Sequence, residues 1–208
     1  MEQEWVQLCK LLCRYAFRVA REPIFPLASG KRSRYYIDCK GAFSIPEVKY
    51  LAGYLGFTRL REQSIAALGG LMYGAIPFAE AISLVSFLEK QPLKSFAVRK
   101  EPKTHGLQKW IEGLIEAGEE VAIVDDVMTT GTSTLQAIAR AQEAGLVVKR
   151  VLVLVNREEG GEEAIQAQYH LPVESIFTLQ DLLRYGQSVP VGGRNPELSR
   201  EASVEEGR

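Results

Sequence analysis

Two adjacent carboxylates, those of Asp125 and Asp126, follow an apolar run at residues 121–124 and precede a hydroxyl-rich segment from Thr129 to Ser133. Like charges in contact destabilise each other unless a cation or a set of hydroxyl donors relieves them. Backbone N–H groups of a glycine-containing turn at a helix start form a cradle for an anion, and hydroxyl groups add donors. The pattern predicts a phosphate at residues 129–133, with sugar hydroxyls or a phosphate-bound metal ion at the carboxylates.

Each half of this pattern also has a simpler explanation. Acidic residues are common at strand ends, and Thr-Gly-Thr-Ser is an ordinary helix cap. A nucleoside triphosphatase would use such an acid to hold a metal ion. It requires a G-x-x-x-x-G-K-[ST] loop, which this sequence lacks, and no G-x-G-x-x-G follows a strand. The ordered combination of strand, acid pair, hydroxyl-glycine loop and helix therefore favours a sugar-phosphate ligand.

A second segment concentrates positive charge. Arg99, Lys100, Lys103 and His105 lie within seven residues, between a predicted strand and a glycine. A solvated basic loop is the alternative interpretation. In a chain with balanced overall charge, such a local cluster favours a polyanion such as diphosphate.

Predicted strands and helices alternate along the chain from residue 46, and these elements must position the residues described above. The predicted strands are apolar on both faces, which is typical of a parallel sheet covered by helices on both sides. Ligands of such α/β sheets bind at the carboxyl ends of the strands. Predicted helices span residues 46–61, 77–90, 110–116, 132–144 and 162–169, and predicted strands span 64–68, 95–98, 120–124, 149–155 and 175–178.

The residues before this alternation form a different unit. Apolar residues recur at helical spacing over the first twenty positions and predict an amphipathic helix. Two short extended pieces around the turn at Ser29 to Arg32 predict a hairpin. We expect one domain at 1–190, with the N-terminal helix and hairpin at 1–45 and the α/β core at 46–190. Residues 191–208 have almost no apolar content and are expected to form a disordered tail.

The bulk composition limits the partners. The 208 residues include 25 basic and 26 acidic ones, and a net charge of -1 provides no global attraction for nucleic acid or anionic membranes. The N-terminus is acidic where a signal peptide is basic, and no stretch approaches the about 18 apolar residues of a membrane span. We expect a cytoplasmic protein with no nucleic-acid partner and no membrane partner.

The segment VAIVDDVMTTGTS, residues 121–133, resembles the phosphoribosyl pyrophosphate (PRPP) motif of the type I phosphoribosyltransferases. The resemblance implies that family's α/β fold, with a small N-terminal hood formed by the hairpin. It also implies that the acid pair binds the ribose hydroxyls, with Asp125 among the catalytic residues, and that the following loop binds the 5'-phosphate. The PRPP site of this segment would comprise Asp125, Asp126, Val127, Met128, Thr129, Thr130, Gly131, Thr132 and Ser133.

Three more segments resemble the orotate phosphoribosyltransferases within that family. FAVRKEPKTHG is similar to their flexible loop, which implies that Arg99, Lys100, Lys103 and His105 bind PRPP and that Arg99, Lys103 and His105 are catalytic. The same resemblance implies a homodimer with active sites shared across the interface. SGKRSRYYIDCK and VLVLVNREEGG are similar to the segments that bind orotate, which implies contacts from Tyr35, Tyr36, Thr129 and Arg157.

The implied reaction joins orotate to PRPP and gives orotidine 5'-phosphate and diphosphate, a step of pyrimidine biosynthesis. An arginine fork suits the carboxylate that orotate carries. Mg²⁺ is the implied cofactor and would be held mainly by diphosphate oxygens, with no direct protein ligand. A purine or xanthine phosphoribosyltransferase and a non-catalytic PRPP-sensing regulator remain alternatives.

The sequence also departs from the family pattern at three positions. Several members have lysines where this chain has Ala28 and Gly74, and aspartate is frequent where it has Asn156. The two missing lysines leave Arg99 to His105 as the predicted source of positive charge for the diphosphate.

Overall fold

The structure is a computed structural model that describes residues 1–26, 32–102 and 110–186. The N-terminal unit contains α1 (Glu2–Tyr15), β1 (Phe17–Val19), β2 (Phe25–Pro26), β3 (Arg32–Ser33), β4 (Tyr35–Ile37) and α2 (Cys39–Ala42). The core begins with α3 (Pro46–Leu60), β5 (Ala67–Leu71), α4 (Ile76–Leu88), β6 (Lys94–Val98) and β7 (Ile111–Glu112). It continues with β8 (Glu120–Met128), α5 (Thr132–Glu143), β9 (Val147–Asn156), α6 (Gly161–Tyr169), β10 (Val173–Thr178) and α7 (Leu179–Gly186).

The core is organised by one six-stranded sheet in the order β10-β9-β8-β5-β6-β7. The pairs from β10 to β6 are parallel, and β7 joins the edge of β6 in the antiparallel sense. Because parallel neighbours share a direction, the carboxyl ends of β5, β6, β8 and β9 meet at one edge. The acid pair, the glycine turn and Arg99 all lie at or just beyond these ends.

The sheet is buried on both faces, which confirms the predicted fold class. Along β8, Ala122 and Val124 belong to one apolar cluster and Val121 and Ile123 to the other. This alternation follows from the two-residue period of a strand. The first cluster includes apolar side chains of α1, α3, α4 and α7, and the second includes those of α5 and α6.

The N-terminal helix is confirmed over Glu2–Tyr15 as α1, but its predicted extension to residue 20 is wrong, because Phe17–Val19 form β1 and pair with β4. The helix is joined to the core by its buried side. Leu8 and Leu12 are buried, and the Trp5 indole Nε1 donates a hydrogen bond to the Ile176 carbonyl oxygen at 2.8 Å. The predicted hairpin is confirmed, since β2 pairs with β3 in the antiparallel sense, and β1 and β4 form a second antiparallel pair that was not predicted. Residues 27–31, which include Ala28 and most of the predicted turn, lie outside the described residues.

The helices predicted at 46–61, 77–90, 132–144 and 162–169 are confirmed as α3, α4, α5 and α6. Pro46 occupies the first turn of α3, where its missing N–H costs nothing. Gly145 follows the end of α5 with φ +83°, the left-handed conformation that favours glycine.

The strand predicted at 64–68 begins and ends three residues too early, because the strand is Ala67–Leu71. Its extension includes Gly69 and Gly70, residues that weaken a strand in a sequence-based prediction. Here the neighbouring backbone requires them, since a Cβ at Gly69 would collide with the Phe96 carbonyl oxygen and one at Gly70 with that of Val124.

The helix predicted at 110–116 is wrong. Ile111 and Glu112 form β7, which pairs with Val98 and Ala97 of β6. Pairing with the edge of β6 decides the structure here, because the helical pattern of this short stretch is weak. In addition, α7 was not predicted, and β8 is longer than predicted, so Asp125 and Asp126 lie inside the strand.

Of the helices in the described residues, none is both long enough and apolar enough to cross a membrane. The division into one domain at 1–190 and a tail at 191–208 stays a prediction, because residues 187–208 lie outside the described part of the chain.

A substitution at Gly53 tests the close contact between α3 and α4. A Cβ at this position would lie 2.5 Å from the carbonyl oxygen of Ala81, so either helix would have to move. We expect Gly53→Ala to lower the free energy of unfolding by about 1–3 kcal/mol, measured by urea denaturation. The control is Gly186→Ala, whose Cβ would lie 3.7 Å from its nearest neighbours and should leave the midpoint unchanged or slightly higher. Equal midpoints for both variants would contradict the packing.

Candidate active site

Asp125 and Asp126 are buried at the carboxyl end of β8, with exposed fractions of 6% and 7%. Successive strand residues point to opposite faces, and the two carboxylates have different neighbours. Asp125 Oδ2 accepts a hydrogen bond from Thr134 Oγ1 of α5 at 2.7 Å. Asp126 faces the loop between β5 and α4, where a Cβ on Gly74 would lie 2.6 Å from Asp126 Oδ1. One carboxylate therefore anchors a helix, and the other borders a space left by a glycine.

Burial dominates the electrostatics of this pair. It raises the pKa of Asp125 from its ordinary value of 3.8 to about 7, the charge of Asp126 adds to the rise, and the Thr134 hydrogen bond opposes it. Burial also raises the pKa of Asp126, and the positive charge of Lys40 opposes that rise. The pair is therefore under electrostatic stress at neutral pH, which hydroxyl donors or a cation would relieve.

The turn after β8 has the geometry of an anion cradle. Gly131 precedes α5 with φ +77°, a conformation that side-chain-bearing residues rarely adopt. Thr130 Oγ1 and Thr132 Oγ1 lie 3.1 Å apart in a hydrogen bond, so two hydroxyl groups converge beside the helix start. The first turn of α5 leaves backbone N–H groups free of intrahelical partners. The arrangement can bind a phosphate, as the sequence predicts for residues 129–133.

Arg157, at the end of β9, is buried with an exposed fraction of 5%. Its Nη2 donates to Ser33 Oγ at 3.2 Å and lies 2.7 Å from Glu159 Oε1. Its Nε is buried and has no hydrogen-bond partner among the described residues. The backbone N–H of Arg157 donates to the Met128 carbonyl oxygen at 2.9 Å, which joins this site to the end of β8.

The two predicted tyrosines lie in β4, where neighbouring side chains alternate between faces. Tyr35 packs against the first apolar cluster and stacks on Phe17, with ring centroids 6.1 Å apart. Tyr36 is exposed and stacks on Phe25 at 5.5 Å. The two rings therefore have different environments, and their predicted contacts with orotate stay predictions.

The basic segment is described in part. Arg99 follows β6 and is held at three points: its backbone N–H donates to the Trp110 carbonyl oxygen, its Nη1 to Glu112 Oε1 at 2.9 Å and its Nε to the Glu101 carbonyl oxygen. Lys100 adjoins it, whereas Lys103 and His105 lie outside the described residues. The site roles of all four cations stay predictions.

Several polar groups at this edge were not identified from the sequence. Thr134 is nine residues beyond Asp125, and only a helix placed against the strand brings them together. Glu159 is two residues from Arg157 in sequence, and its proximity was the available signal. Ser33 comes from the distant hairpin, and no sequence signal connects it with Arg157.

Asn156, which replaces an aspartate that is frequent at this position in the family, has a local explanation. Its side-chain Oδ1 accepts from the Glu158 N–H at 2.8 Å, and its Nδ2 donates to Glu162 Oε2 at 3.4 Å. An aspartate could accept the hydrogen bond from the Glu158 N–H, but its carboxylate would face the like charge of the Glu162 carboxylate. The amide at this position therefore matches the acidic residue on α6.

The strained acid pair makes stability depend on pH in a defined direction. A carboxyl whose pKa is raised by folding stabilises the fold when protonated, and this stabilisation is lost as pH rises through the folded-state pKa. The window for Asp125 runs from 3.8 to about 7. We expect Asp126→Asn to raise Tm without ligands by about 2–4 °C near pH 8 and by less near pH 5, measured by circular dichroism.

The control is Glu62→Gln, because the Glu62 side chain is 81% exposed and should give no such pH-dependent gain. A lower Tm for Asp126→Asn near pH 8 would contradict the electrostatic interpretation of the pair.

Comparison with known proteins gives one consistent family. The chain is 46% identical over 177 residues to the orotate phosphoribosyltransferase of Aquifex aeolicus, covering 85% of this chain and 96% of that protein. It is 42% identical over 180 residues to the orotate phosphoribosyltransferase of Thermosynechococcus vestitus, covering 86% and 93%. A scan against protein-family models found no match.

Solved structures share the fold. The Mycobacterium tuberculosis H37Rv orotate phosphoribosyltransferase, in complex with Fe(III) dicitrate, aligns with a TM-score of 0.76 and 34% identity over 86% of this chain and 98% of that one. The same protein in complex with 5-phospho-alpha-D-ribosyl 1-diphosphate gives a TM-score of 0.71 and 32% identity over the same shares. The resemblance found in the motifs is confirmed over most of the chain, and the chain belongs to the orotate phosphoribosyltransferase family.

Proposed function

We propose that the protein is a pentosyltransferase that moves the phosphoribosyl group of PRPP to orotate, releasing orotidine 5'-phosphate and diphosphate in pyrimidine biosynthesis. The observation that carries this proposal is Arg157, a guanidinium buried beside the end of the acid-pair strand with its Nε unpaired among the described residues. A buried arginine at a sugar-phosphate site favours an acceptor base that carries a carboxylate. The PRPP complex of the M. tuberculosis relative supports the donor.

The donor would occupy the carboxyl ends of β8 and β6. The carboxylates of Asp125 and Asp126 would accept hydrogen bonds from the ribose hydroxyls. Val127 to Ser133 would surround the 5'-phosphate, with donors from the backbone N–H groups and from the threonine and serine hydroxyls. Diphosphate would lie toward Arg99 and Lys100, with Lys103 and His105 completing the basic segment.

The acceptor would lie between this site and the N-terminal unit. The Arg157 guanidinium would pair with the orotate carboxylate, since Ser33 and Glu159 hold one of its edges and orient the rest. Thr129, Tyr35 and Tyr36 would complete the base pocket. This arrangement would place a ring nitrogen of orotate near the ribose carbon that loses diphosphate.

The chemistry breaks the bond between the ribose C1' and a diphosphate oxygen and forms a bond from C1' to a ring nitrogen of orotate, whose proton is released and can be accepted by the departing diphosphate. The electron pair of the broken bond leaves with diphosphate, so positive charge develops on the ribose and negative charge on the leaving group. Arg99 and Lys100 would neutralise the leaving group. The buried acid pair would hold the ribose and offset its positive charge, and exclusion of water would protect it.

Mg²⁺ fits the donor chemistry of this edge. Asp125 and Asp126 supply hard carboxylate oxygens, and burial raises the pKa of both. Mg²⁺ is usually held by one or two carboxylates, or none directly, together with substrate phosphates and water. When bound with PRPP, it would neutralise charge on the diphosphate, and we propose that substrate oxygens supply most of its ligands.

We also propose a homodimer that shares its active sites. Support comes from α4, where the exposed side chains of Leu84, Phe87 and Leu88 recur at three- and four-residue spacing and form one apolar stripe. Exposed apolar patches mark interaction surfaces. Cytoplasmic location, and the lack of nucleic-acid and membrane partners, stay predictions from composition.

Turnover of orotate tests the main proposal. Purified protein mixed with Mg²⁺, PRPP and orotate should consume orotate, seen as loss of its absorbance. Arg157→Gln should lower kcat/KM for orotate by roughly 10²–10³-fold, because it removes a buried cation from the carboxylate. The control is Arg150→Gln, an arginine at the opposite end of the same strand that pairs with Glu174.

Other outcomes have defined meanings. Transfer of the phosphoribosyl group to a purine instead of orotate would mean that the acceptor is a purine. Binding of PRPP without transfer to any base would favour a non-catalytic PRPP-sensing regulator. Unchanged orotate kinetics in the Arg157→Gln variant would mean that Arg157 does not bind the orotate carboxylate.

Gly74 tests the ribose role of Asp126. A Cβ here would lie 2.6 Å from Asp126 Oδ1 and would displace that carboxylate. We expect Gly74→Ala to weaken PRPP binding about tenfold by calorimetry, equal to about 1.4 kcal/mol. Gly186→Ala serves as the control because its Cβ would make ordinary contacts. Unchanged PRPP affinity in a folded Gly74→Ala variant would mean that Asp126 does not contact the donor.

A further inference from the structure

The carboxyl-terminal end of the basic segment rests on a very short strand. β7 consists of Ile111 and Glu112, and it pairs only with the edge of β6 among the described strands. Arg99 depends on this pairing, because its backbone N–H donates to the Trp110 carbonyl oxygen at 2.8 Å and its Nη1 to Glu112 Oε1 at 2.9 Å. A two-residue edge strand has little stability of its own. The position of Arg99 therefore requires a further anchor for β7.

Trp110 has such an anchor on α5. Its indole Nε1 donates to Glu143 Oε1 at 2.8 Å, and the Arg140 guanidinium carbon lies 3.7 Å from the ring centroid. Arg140 Nη1 in turn donates to Glu143 Oε2 at 2.7 Å. The indole, the guanidinium and the carboxylate thus form a closed cluster of three side chains. Each member has a hydrogen bond or a cation–π contact to both others, which fixes the indole in one orientation.

The helix that supplies this anchor also carries the donor site. α5 begins directly after Gly131, and Thr134 in its first turn binds Asp125. Its last turn holds Trp110 through Arg140 and Glu143. One rigid helix therefore connects the acid pair at its start with the stem of the basic segment at its end.

We propose that Trp110 is a positioning residue for diphosphate: by docking on Arg140 and Glu143 it fixes β7 and thereby holds Arg99 toward the leaving group. The inference rests on the proposed function for the identity of the leaving group. It adds a residue outside the PRPP and orotate motifs. A tryptophan is required, because the anchor uses both a ring face and an N–H donor, and phenylalanine supplies only the first.

The first test compares Trp110→Ala, Trp110→Phe and wild type. We expect Trp110→Ala to lower kcat about tenfold to a hundredfold and to weaken pyrophosphate binding, with Trp110→Phe between it and wild type. Ribose 5-phosphate affinity, measured by the same calorimetry, should stay within about twofold, because its site does not involve β7. General destabilisation would lower the affinities for pyrophosphate and ribose 5-phosphate together, and that result would overturn the positioning role.

The control variant is Leu114→Ala. Leu114 lies two residues beyond β7 with an exposed fraction of 92%, and its replacement should leave both affinities unchanged. If Trp110→Ala does not fold, Arg140→Met carries the test, since it removes the cation and keeps an unbranched apolar side chain at that position. It should weaken pyrophosphate more than ribose 5-phosphate, and equal losses would overturn the proposal.

The second test asks whether Trp110 acts through Arg99. Arg99→Ala should weaken pyrophosphate binding, and adding Trp110→Ala to that variant should cause less than about a twofold further loss. Fully additive losses would overturn the proposal. Because pyrophosphate calorimetry needs no turnover, this result is independent of the orotate assay, and a wild-type protein inactive with orotate would instead refute the proposed function.

Discussion

Two adjacent carboxylates buried inside a parallel strand are the constraint around which this protein is arranged. Burial disfavours the charged form of both Asp125 and Asp126, and the charge of Asp126 raises the pKa of Asp125 further. The fold offsets part of this cost through the Thr134 hydroxyl and the charge of Lys40. The remaining cost is tolerated because the β8 residues before the pair, Val121 to Val124, are apolar and fully buried. Site and core thus occupy a single strand.

The same constraint accounts for the elements that surround the pair. α5 has to start close to the strand end, because Thr134 must reach Asp125, and this brings the glycine turn and its N–H groups to the same edge. On the other face, the loop before α4 approaches so closely that a Cβ at Gly74 would collide with the Asp126 carboxylate. Negative charge, hydrogen-bond donors and open space are therefore placed together by backbone packing. The two carboxylates lie beside the glycine turn without occupying it.

Much of this arrangement was predictable because it depends on local patterns. Apolar runs alternating with amphipathic helices predict the parallel sheet, and the order of acid pair, glycine-hydroxyl loop and helix predicts that these groups meet at the carboxyl end of a strand. What failed or was missed depends on distant partners. β7 is a strand only because β6 offers an edge, and Gly69 and Gly70 extend β5 only because Phe96 and Val124 come close. Ser33 and Arg157, separated by 124 positions, meet only in the folded chain.

The ion pair between Arg157 and Glu159 bears on how the proposed site would discriminate a carboxylated ligand. The guanidinium already has an internal counter-ion at 2.7 Å. A ligand carboxylate that took the edge held by Glu159 would exchange one anion for another, and its affinity would reflect the difference between two pairings. One that paired with the remaining edge, as proposed for orotate, would share the guanidinium with Glu159, whereas a neutral base would gain no charge pairing at either edge. Selectivity at such a site would depend on this internal counter-ion as well as on the shape of the pocket.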